Sequence, residues 1–488
     1  MEEKLPNILL VVADQHRSDC LGAAGNPDVK TPHLDSLAEQ GVLFENCFCA
    51  SPLCTPARYS VLTGLYPHQH LGWGNRSTIP PQLPTFPKQL RDRGYHTMAV
   101  GKMHLTPARL DVGFERMQLA EQDGPGRFAD DYHAYLRDLD LLDAVDIMDQ
   151  RSEYRGKAPE SYWRSFGAVE SNLAEEHHST AWIGRQALDE VERWEGGGNF
   201  LLASFIKPHH PFDPPASWSG MYDPERLTLL PGFALEVPDR DFAMHRGYFD
   251  NRTLSEGVLR RVMAHYYAAI SHIDHYVGKL IGRLVEKGLY NDTMIIFTGD
   301  HGEYMGFHHL LLKQNYMYDP VVKVPLIVKF PGARRAGERH AGLVSHIDIG
   351  RTVLAAVGAA ELPDSQGLDL SQDGVEREFI FAEEHRGRQY MIRTRTRKLM
   401  LTRDRQRSVF VDLERDPLEW DNLYGDPERA GEIGALKEHL AETVLFAAPA
   451  PDYQDVHGAP VTAPEAGAVF SPTEMETWMR ERMQKILG

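Results

Sequence analysis

The stretch that decides the fold is Asn7-Ile8-Leu9-Leu10-Val11-Val12-Ala13, which runs directly into Asp14 and Gln15. An apolar run of this length predicts a strand that is buried on both faces of a mostly parallel sheet. In open α/β sheets, the residues that follow the carboxyl ends of the strands line the binding crevice. We therefore expect Asp14 and Gln15 to lie at a functional edge of the sheet.

A helix, an apolar strand and a polar turn follow one another three more times along the chain. Helices are predicted at 87–93, 182–194 and 259–287, and the strands after them at 97–100, 200–206 and 294–298. These strands end in Gly101-Lys102-Met103-His104, Lys207-Pro208-His209-His210 and Gly299-Asp300-His301-Gly302. The pattern predicts an α/β fold with a large, mostly parallel sheet flanked by helices, and it brings the polar turns together at one edge.

The pattern of the chain changes after about residue 375. Short strands are predicted at 379–382, 391–393, 398–401 and 410–413, followed by a helix. Residues 447–468 are rich in Ala and Pro, a linker composition, and Ser471-Pro472-Thr473-Glu474 then opens an amphipathic helix. We predict an α/β domain at 1–375, an antiparallel subdomain at 376–446, and a linker with a terminal helix at 447–488. That helix either docks on its own subunit or bridges to a second one as an oligomerisation arm.

Composition restricts the class of protein and its partners. The chain has 488 residues, of which 42% are hydrophobic and 25% charged, as in an ordinary globular protein. The net charge of -18 argues against nucleic acid or an acidic membrane as a partner. Four cysteines in so long a chain do not form a disulfide framework. Neither a signal peptide nor a membrane-spanning run is recognised, so we expect a cytoplasmic protein.

The segment around Cys54 combines a potential nucleophile with an anion-binding helix terminus. Cys54-Thr55-Pro56-Ala57-Arg58 lies where a loop enters a predicted helix, and Pro56 suits the first helical turn. The free N–H groups of a helix N-terminus bind oxyanions, and Arg58 adds a fixed cation one turn later. The alternative is that Cys54 is a small buried hydrophobic residue and Arg58 a surface residue.

Residues 52–64 resemble, at every defined position, the signature of the formylglycine-dependent (type I) sulfatases of the alkaline phosphatase superfamily. The resemblance implies that a formylglycine-generating enzyme oxidises Cys54 to Cα-formylglycine, whose hydrate supplies the nucleophile. A second family signature spans 94–104 and implies that Lys102 contacts the nucleophile and the sulfate, and that His104 acts as a base. The C-terminal part resembles the small antiparallel subdomain of the same family.

The resemblance also implies a site for one divalent metal ion, formed by Asp14, Gln15, Cys54, Asp300 and His301. Oxygen ligands suit calcium, with manganese or magnesium as alternatives, and a histidine admits softer ions. Many sulfatases have Asp-Asp and Asp-Asn where this chain has Asp14-Gln15 and Asp300-His301. These departures resemble the choline sulfatases and the phosphonate monoester hydrolases.

Three further residues are carried over from family motifs. The loop Lys207-Pro208-His209-His210-Pro211 implies that His209 contacts the sulfate and the leaving group, and the segment 302–313 implies that Lys313 binds substrate. Asn75 resembles an asparagine that some members place against the substrate. His210 and Phe307 are interpreted as structural.

The resemblance implies a sulfatase that releases an alcohol and inorganic sulfate from a small-molecule or carbohydrate sulfate ester. His209 or Lys313 would protonate the leaving oxygen, and His104 would deprotonate the second hydroxyl of the formylglycine hydrate. The main alternative is a phosphonate monoester or phosphodiester hydrolase with the same nucleophile, and a further one is a non-catalytic anion-binding protein. Specificity is expected from the irregular inserts at 111–176 and 213–251, from Asn75-Arg76 and from residues 383–386. The acids at 383–384 could bind a cationic substrate, but surface solvation is the preferred explanation for them. We also expect a homo-oligomer.

Overall fold

The computed structural model describes residues 5–122, 130–141, 158–244, 249–313, 316–384 and 388–446, together with Thr477 and Glu481. The linker and terminal helix predicted at 447–488 lie outside the described residues, apart from those two positions. The division of the chain at residues 375 and 446 stays a prediction.

A large mixed sheet forms the centre of the molecule. Its strands lie in the order β4-β3-β5-β1-β6-β8-β2-β7, and β9 pairs with β2. The five pairings β1·β5, β1·β6, β3·β5, β3·β4 and β2·β9 are parallel, whereas β8 and β7 run antiparallel to their neighbours. The strand bounds are β1 Asn7–Asp14, β2 Val42–Phe48, β3 His96–Gly101, β4 Arg116–Leu119, β5 Asn199–Pro208, β6 Thr293–Gly299, β7 Lys323–Val324, β8 Leu326–Lys329 and β9 Glu338–Ser345.

Helices cover both faces of this sheet. Their bounds are α1 Pro32–Glu39, α2 Cys54–Thr63, α3 Pro67–His70, α4 Phe86–Asp92, α5 Asp131–Asp138, α6 Glu160–Arg164, α7 Ser179–Glu192, α8 Ala216–Ser219, α9 Asp239–Met244, α10 Glu256–Glu286, α11 Asp319–Val322, α12 Asp348–Ala356 and α13 Ala430–Leu445.

Strand β1 shows why the run at 7–13 contains no alternation of polar residues. Its even-numbered side chains Ile8, Leu10 and Val12 pack in one core cluster with residues of α2, α4 and α12. Its odd-numbered side chains Leu9 and Val11 pack in a second cluster with α1, α7 and α10. Every residue of β1 is buried. Both faces of a central parallel strand must therefore be apolar, as the sequence pattern indicated.

A second, four-stranded antiparallel sheet follows the large one. Its strands are β10 Ile380–Glu384, β11 Gln389–Arg393, β12 Arg397–Thr402 and β13 Val409–Asp412, paired in that order. Helix α13 packs on one face of this sheet through Ile433, Leu436 and Leu440, which share a core cluster with Ile392 and Leu399. The predicted fold class is therefore confirmed, including the smaller antiparallel sheet with its helix.

The predicted elements differ from the observed ones mainly at their ends. The helix predicted at 182–194 begins earlier, at Ser179, because His178 caps it by accepting a hydrogen bond from the backbone N–H of Thr180. All four cysteines are buried and free, which agrees with the absence of a disulfide framework. Within the described residues, no helix is long and apolar enough to cross a membrane.

Candidate active site

Two aspartates lie side by side where β1 and β6 end. The register pairs Ala13 with Gly299, so Asp14 and Asp300 follow at the same edge of the sheet. Both side chains are almost completely buried. Oδ1 of Asp300 accepts the backbone N–H groups of Gln15 and His301, each at 2.9 Å. A buried carboxylate needs such donors and nearby cations to remain ionised.

Cys54 occupies the first position of α2, directly after its N-cap residue Leu53. Its Sγ lies 3.2 Å from Nε2 of His301 and 3.7 Å from Oδ1 of Asp14. Burial, with Asp14 nearby, raises the pKa of the Cys54 thiol to about 11. The unmodified side chain is therefore a protonated thiol near neutral pH and a poor nucleophile.

Arg58 lies one helical turn after Cys54 and joins the two aspartates. Its guanidinium donates to Oδ2 of Asp14 at 3.2 Å and to Oδ2 of Asp300 at 3.0 Å. Nη1 also donates to the carbonyl of Lys102 and to Oγ of Ser204 at 2.7 Å. Four acceptors at fixed angles match a guanidinium better than an ammonium group. Arg58 is thus a structural centre of the site as well as a cation.

Lys102 adds a second buried cation beside Asp14. Its Nζ lies 2.6 Å from Oδ2 of Asp14 and 3.9 Å from Sγ of Cys54. Burial acts to raise the pKa of Asp14, but Lys102, His209 and Arg58 together hold it well below its usual value. The carboxylate is therefore ionised throughout the pH range in which enzymes work.

Four groups converge as a possible metal-binding cluster: Asp14, Cys54, Asp300 and His301 each offer a ligand atom, and these atoms lie within 4.8 Å of one another. Nδ1 of His301 lies 2.9 Å from the carbonyl of Gly302, so Nδ1 carries the proton. The lone pair of Nε2 then faces the cluster, as metal ligation requires. Burial and Lys313 also lower the pKa of His301, which keeps the ring neutral. Two carboxylates and a correctly oriented imidazole fit a divalent cation.

Gln15 and Lys313 complete this side of the site. Nζ of Lys313 lies 2.8 Å from Oε1 of Gln15, 3.3 Å from Sγ of Cys54 and 3.1 Å from Nε2 of His301. A divalent cation bound at the cluster would repel this ammonium group. Lys313 would then have to move away or turn toward a bound anion. The Oε1 atom of Gln15 is therefore joined to the cluster through Lys313.

His104 lies beside the cluster with an unengaged imidazole. The residue has a left-handed backbone (φ 56°), and its carbonyl accepts Oγ1–H of Thr55 at 3.0 Å. Its side chain is buried, and neither ring nitrogen has a hydrogen-bond partner among the described residues. Burial, Lys102 and Arg58 hold the pKa of His104 well below its ordinary value. The imidazole is therefore neutral and both ring nitrogens are available, while burial and the two cations oppose its protonation.

His209 follows β5 directly, in the turn that ends at Pro211. The peptide bonds before Pro208 and Pro211 are cis, and Lys207 forms a buried ion pair with Asp213 inside the loop. Burial and Lys313 lower the pKa of His209 well below its ordinary value. His210 points elsewhere: its Nε2 bonds with the hydroxyl of Tyr162 at 2.9 Å, in agreement with a structural role.

Two other predicted residues make hydrogen bonds outside the four-residue cluster. Oδ1 of Asn75 accepts the backbone N–H of Thr55 at 3.3 Å, which places Asn75 at the N-terminus of α2. Glu383 is buried, and its carboxylate accepts the backbone N–H of His68 at 2.8 Å and bonds with Nδ1 of that residue at 2.7 Å. Burial excludes surface solvation as the explanation for this acid, and its role in specificity stays a prediction.

Three residues that the sequence analysis missed support the site. Oε1 of Glu121 accepts the backbone N–H groups of Met103 and His104, at 2.9 and 2.8 Å, and burial raises its pKa to about 7. Ser204 holds Arg58, and Glu303 contacts Gln15. Glu121 lies two residues after the end of β4, a position of the kind that identified Asp14, but that short strand was not predicted.

Comparisons with known proteins agree with this geometry. The family model "Sulfatase" matches residues 6–359, and a model of the C-terminal part of N-sulphoglucosamine sulphohydrolase matches 306–445. An arylsulfatase of Clostridium perfringens is 31% identical over 476 residues, covering 89% of this chain and 93% of the relative. An N-acetylglucosamine-6-O-sulfatase of Bacteroides thetaiotaomicron is 25% identical, covering 91% of this chain and 87% of the relative.

A solved structure has the same fold. The phosphonate monoester hydrolase of Agrobacterium radiobacter superimposes with a TM-score of 0.74 at 24% identity, covering 91% of this chain and 96% of that chain. This likeness concerns the fold alone. The match of the family model over most of the chain and the identity to the arylsulfatase together establish that the chain belongs to the sulfatase family of sulfate ester hydrolases.

Proposed function

We propose that this chain hydrolyses a sulfate monoester to an alcohol and inorganic sulfate at a formylglycine formed from Cys54. The observation that carries the proposal is the position of Cys54. It lies at the N-terminus of α2, within 3.9 Å of Lys102 Nζ and 3.3 Å of Lys313 Nζ, and in one cluster with two buried aspartates. Hydrated formylglycine supplies two hydroxyl groups on one carbon, so that a covalently bound group can leave without attack by water.

The residues present fit one divalent cation. Asp14, Asp300 and the Nε2 of His301 would hold it together with the side chain at position 54. Oε1 of Gln15, which now contacts Lys313, would add a further oxygen ligand. Such an ion lowers the pKa of a hydroxyl group beside it and offsets the charge of the sulfate. Calcium is our first candidate because most of the ligands are oxygen atoms, with manganese and magnesium as alternatives.

Fixed cations around position 54 would neutralise the sulfate oxygens. Arg58, Lys102 and Lys313 carry three positive charges against the two charges of Asp14 and Asp300. The surplus favours a bound sulfate monoanion, and the buried, preorganised donors need no reorganisation when charge develops on the leaving oxygen.

Proton transfer is assigned to the two buried histidines and Lys313. His104 would take a proton from the second hydroxyl at position 54, because its imidazole is neutral and both ring nitrogens are without partners among the described residues. Lys313 is the better donor to the leaving oxygen, because the pKa of His209 lies well below its ordinary value and an imidazolium there is disfavoured.

The substrate is proposed to be a small-molecule or carbohydrate sulfate ester. The support is the relatedness to an arylsulfatase and to an N-acetylglucosamine-6-O-sulfatase. During maturation a formylglycine-generating enzyme would be a transient partner. A homo-oligomer remains part of the proposal.

A second candidate is a phosphonate monoester or phosphodiester hydrolase. Gln15 and His301 favour it, because one fewer carboxylate at the metal site resembles that group of enzymes. The Lys102 and His104 pair favours the sulfatase instead.

The test is the ratio of kcat/KM for 4-nitrophenyl sulfate to that for the matching phenylphosphonate monoester. The protein is co-expressed with a formylglycine-generating enzyme, conversion at position 54 is checked by mass spectrometry, and Cys54→Ala serves as the control. A ratio well above one supports the sulfatase, whereas a ratio well below one supports the second candidate. Hydrolysis of neither compound by converted protein would count against both.

A further inference from the structure

Gln15 is held at every polar atom. Its backbone N–H donates to Oδ1 of Asp300 at 2.9 Å, and its backbone carbonyl accepts the hydroxyl of Tyr266 at 2.7 Å. Its side-chain Nε2 donates to Oε2 of Glu303, and its Oε1 accepts Nζ–H of Lys313 at 2.8 Å. A left-handed backbone (φ 63°) at a glutamine is unusual, so these contacts maintain a conformation that the chain would not adopt alone.

The two neighbours of the amide determine which way it faces. The ammonium group of Lys313 can only donate, so it must meet the oxygen of Gln15. The amide nitrogen is then left to Oε2 of Glu303, which accepts from it. The oxygen of Gln15 must therefore face Lys313 and the carboxylate cluster, and the nitrogen must face Glu303. Reversal would place N–H groups against an ammonium and an oxygen against a carboxylate.

The same glutamate organises the loop that carries Lys313. Oε1 of Glu303 accepts the backbone N–H groups of Met305 at 3.0 Å and of Leu312 at 2.5 Å, so it spans the loop from its start to its end. Four non-glycine residues of this loop have positive φ angles: Met305, His308, His309 and Leu312. Such conformations are unfavourable for residues that carry a Cβ atom. The buried carboxylate offsets part of that cost at the two ends of the loop.

We propose that Glu303 is a positioning residue. It orients the Gln15 amide with its oxygen toward the metal-binding cluster, and it places the Lys313 ammonium group beside that oxygen. This inference rests on the proposed function, since it assigns Gln15 and Lys313 to the same reaction. Glu303 acts through its neighbours. It accepts from the amide of Gln15 and from the backbone N–H of Leu312, the residue before Lys313.

The substitution Glu303→Gln changes one atom and replaces the acceptor that faces Gln15 with a donor. A glutamine has a single acceptor oxygen, which must serve the backbone N–H groups of Met305 and Leu312. Its NH2 group then faces Gln15, whose amide has to turn and point N–H groups at Lys313. The double variant Gln15→Glu/Glu303→Gln restores the pattern, because the carboxylate introduced at position 15 can accept from the new amide and present its other oxygen to the cluster.

Binding of Ca²⁺ and, separately, Mn²⁺ is measured by calorimetry on formylglycine-converted protein, alongside kcat and KM for 4-nitrophenyl sulfate. We expect Glu303→Gln to weaken binding of the ion that the wild type binds, and to lower kcat, each by about 10- to 100-fold, as for partners that orient metal ligands. The double variant should recover at least about tenfold of the loss in both quantities. Rescue by exchange of the two groups is not expected of a residue that only stabilises the fold.

Glu419→Gln is the matched control. Glu419 is also fully buried, but it pairs with Lys398 at 2.6 Å, within the interface with the small sheet. This variant should lower the unfolding temperature and leave the ion affinity and the kcat of the folded protein unchanged.

Unchanged ion affinity in Glu303→Gln, or a double variant no better than the single one, would overturn the inference, and so would failure of the wild type to bind either ion. If converted wild type hydrolyses no ester but binds an ion, the proposed reaction has failed. The affinity and its rescue still decide the role of Glu303.

Discussion

Replacing Arg58 by methionine tests whether the two buried aspartates depend on this guanidinium. The Arg58 side chain is 8% exposed and ion-pairs with Asp14 at 3.2 Å and with Asp300 at 3.0 Å. Removing one partner of a buried ion pair costs about 3–5 kcal/mol, because a desolvated charge is left behind. Asp14 keeps Lys102, and Asp300 keeps two backbone N–H donors. We therefore expect a loss of about 3 kcal/mol in the free energy of unfolding.

The assay is urea unfolding in the presence of EDTA, followed by circular dichroism. Arg339→Met is the control, because Arg339 pairs with Glu45 at 2.7 Å while both side chains are partly exposed, 54% and 35%. Such a surface pair contributes about 0–1 kcal/mol. If Arg58→Met costs less than about 1 kcal/mol more than the control, the aspartates do not depend on the guanidinium. Saturating Ca²⁺ should return part of the loss, since it supplies charge beside the same carboxylates.

Three further outcomes follow from the site and the core. Cys54→Ser should release one equivalent of alcohol per enzyme and then stall, because a sulfated serine lacks the second hydroxyl; repeated turnovers in a stopped-flow assay would contradict this. Burial lowers the pKa of His70 and His272 to about 3, so below pH 6.5 the unfolded chain takes up protons that the folded chain does not. As the pH falls from about 6.5 to about 3, the free energy of unfolding should therefore decrease by about 1.4 kcal/mol per pH unit for each ring. His272→Asn should remove the contribution of one ring from this pH dependence, measured by urea unfolding at several pH values. EDTA should abolish hydrolysis, and re-added Ca²⁺, Mn²⁺ or Mg²⁺ should restore it; activity that survives chelation and dialysis would exclude a required metal.

Apolar patterning made the main fold predictable. A run such as 7–13 has few alternatives to a buried parallel strand, since a half-exposed strand or an amphipathic helix would require polar residues at regular intervals. The boundaries were less certain, because the start of α7 depends on the cap that His178 provides. The short strand β4 was missed, and with it Glu121, because four residues carry too little pattern.

The positions of the residues that we propose to perform the chemistry were predictable for a different reason. Asp14, Lys102, His209 and Asp300 all follow strands of one sheet, and parallel strands bring their carboxyl ends to one edge whatever the details of packing. The placement of Cys54 and Arg58 depended on helix α2, which the loop-to-helix motif predicted. The contact between Glu383 and His68 was not predictable, because nothing in the sequence indicates that His68 engages this carboxylate.

By itself, the sequence determined the sheet, the polar edge and the chemical type of the groups that meet there. The reason is that hydrophobic periodicity and the ends of strands are local properties of the chain. The tertiary structure alone decided which groups pair. Glu303 lies 288 residues from Gln15, and Lys313 lies 298 residues from it, yet the three form one hydrogen-bonded chain. The orientation of an amide and the ionisation of a buried carboxylate depend on neighbours a few ångströms away in space. Only the folded chain supplies those neighbours.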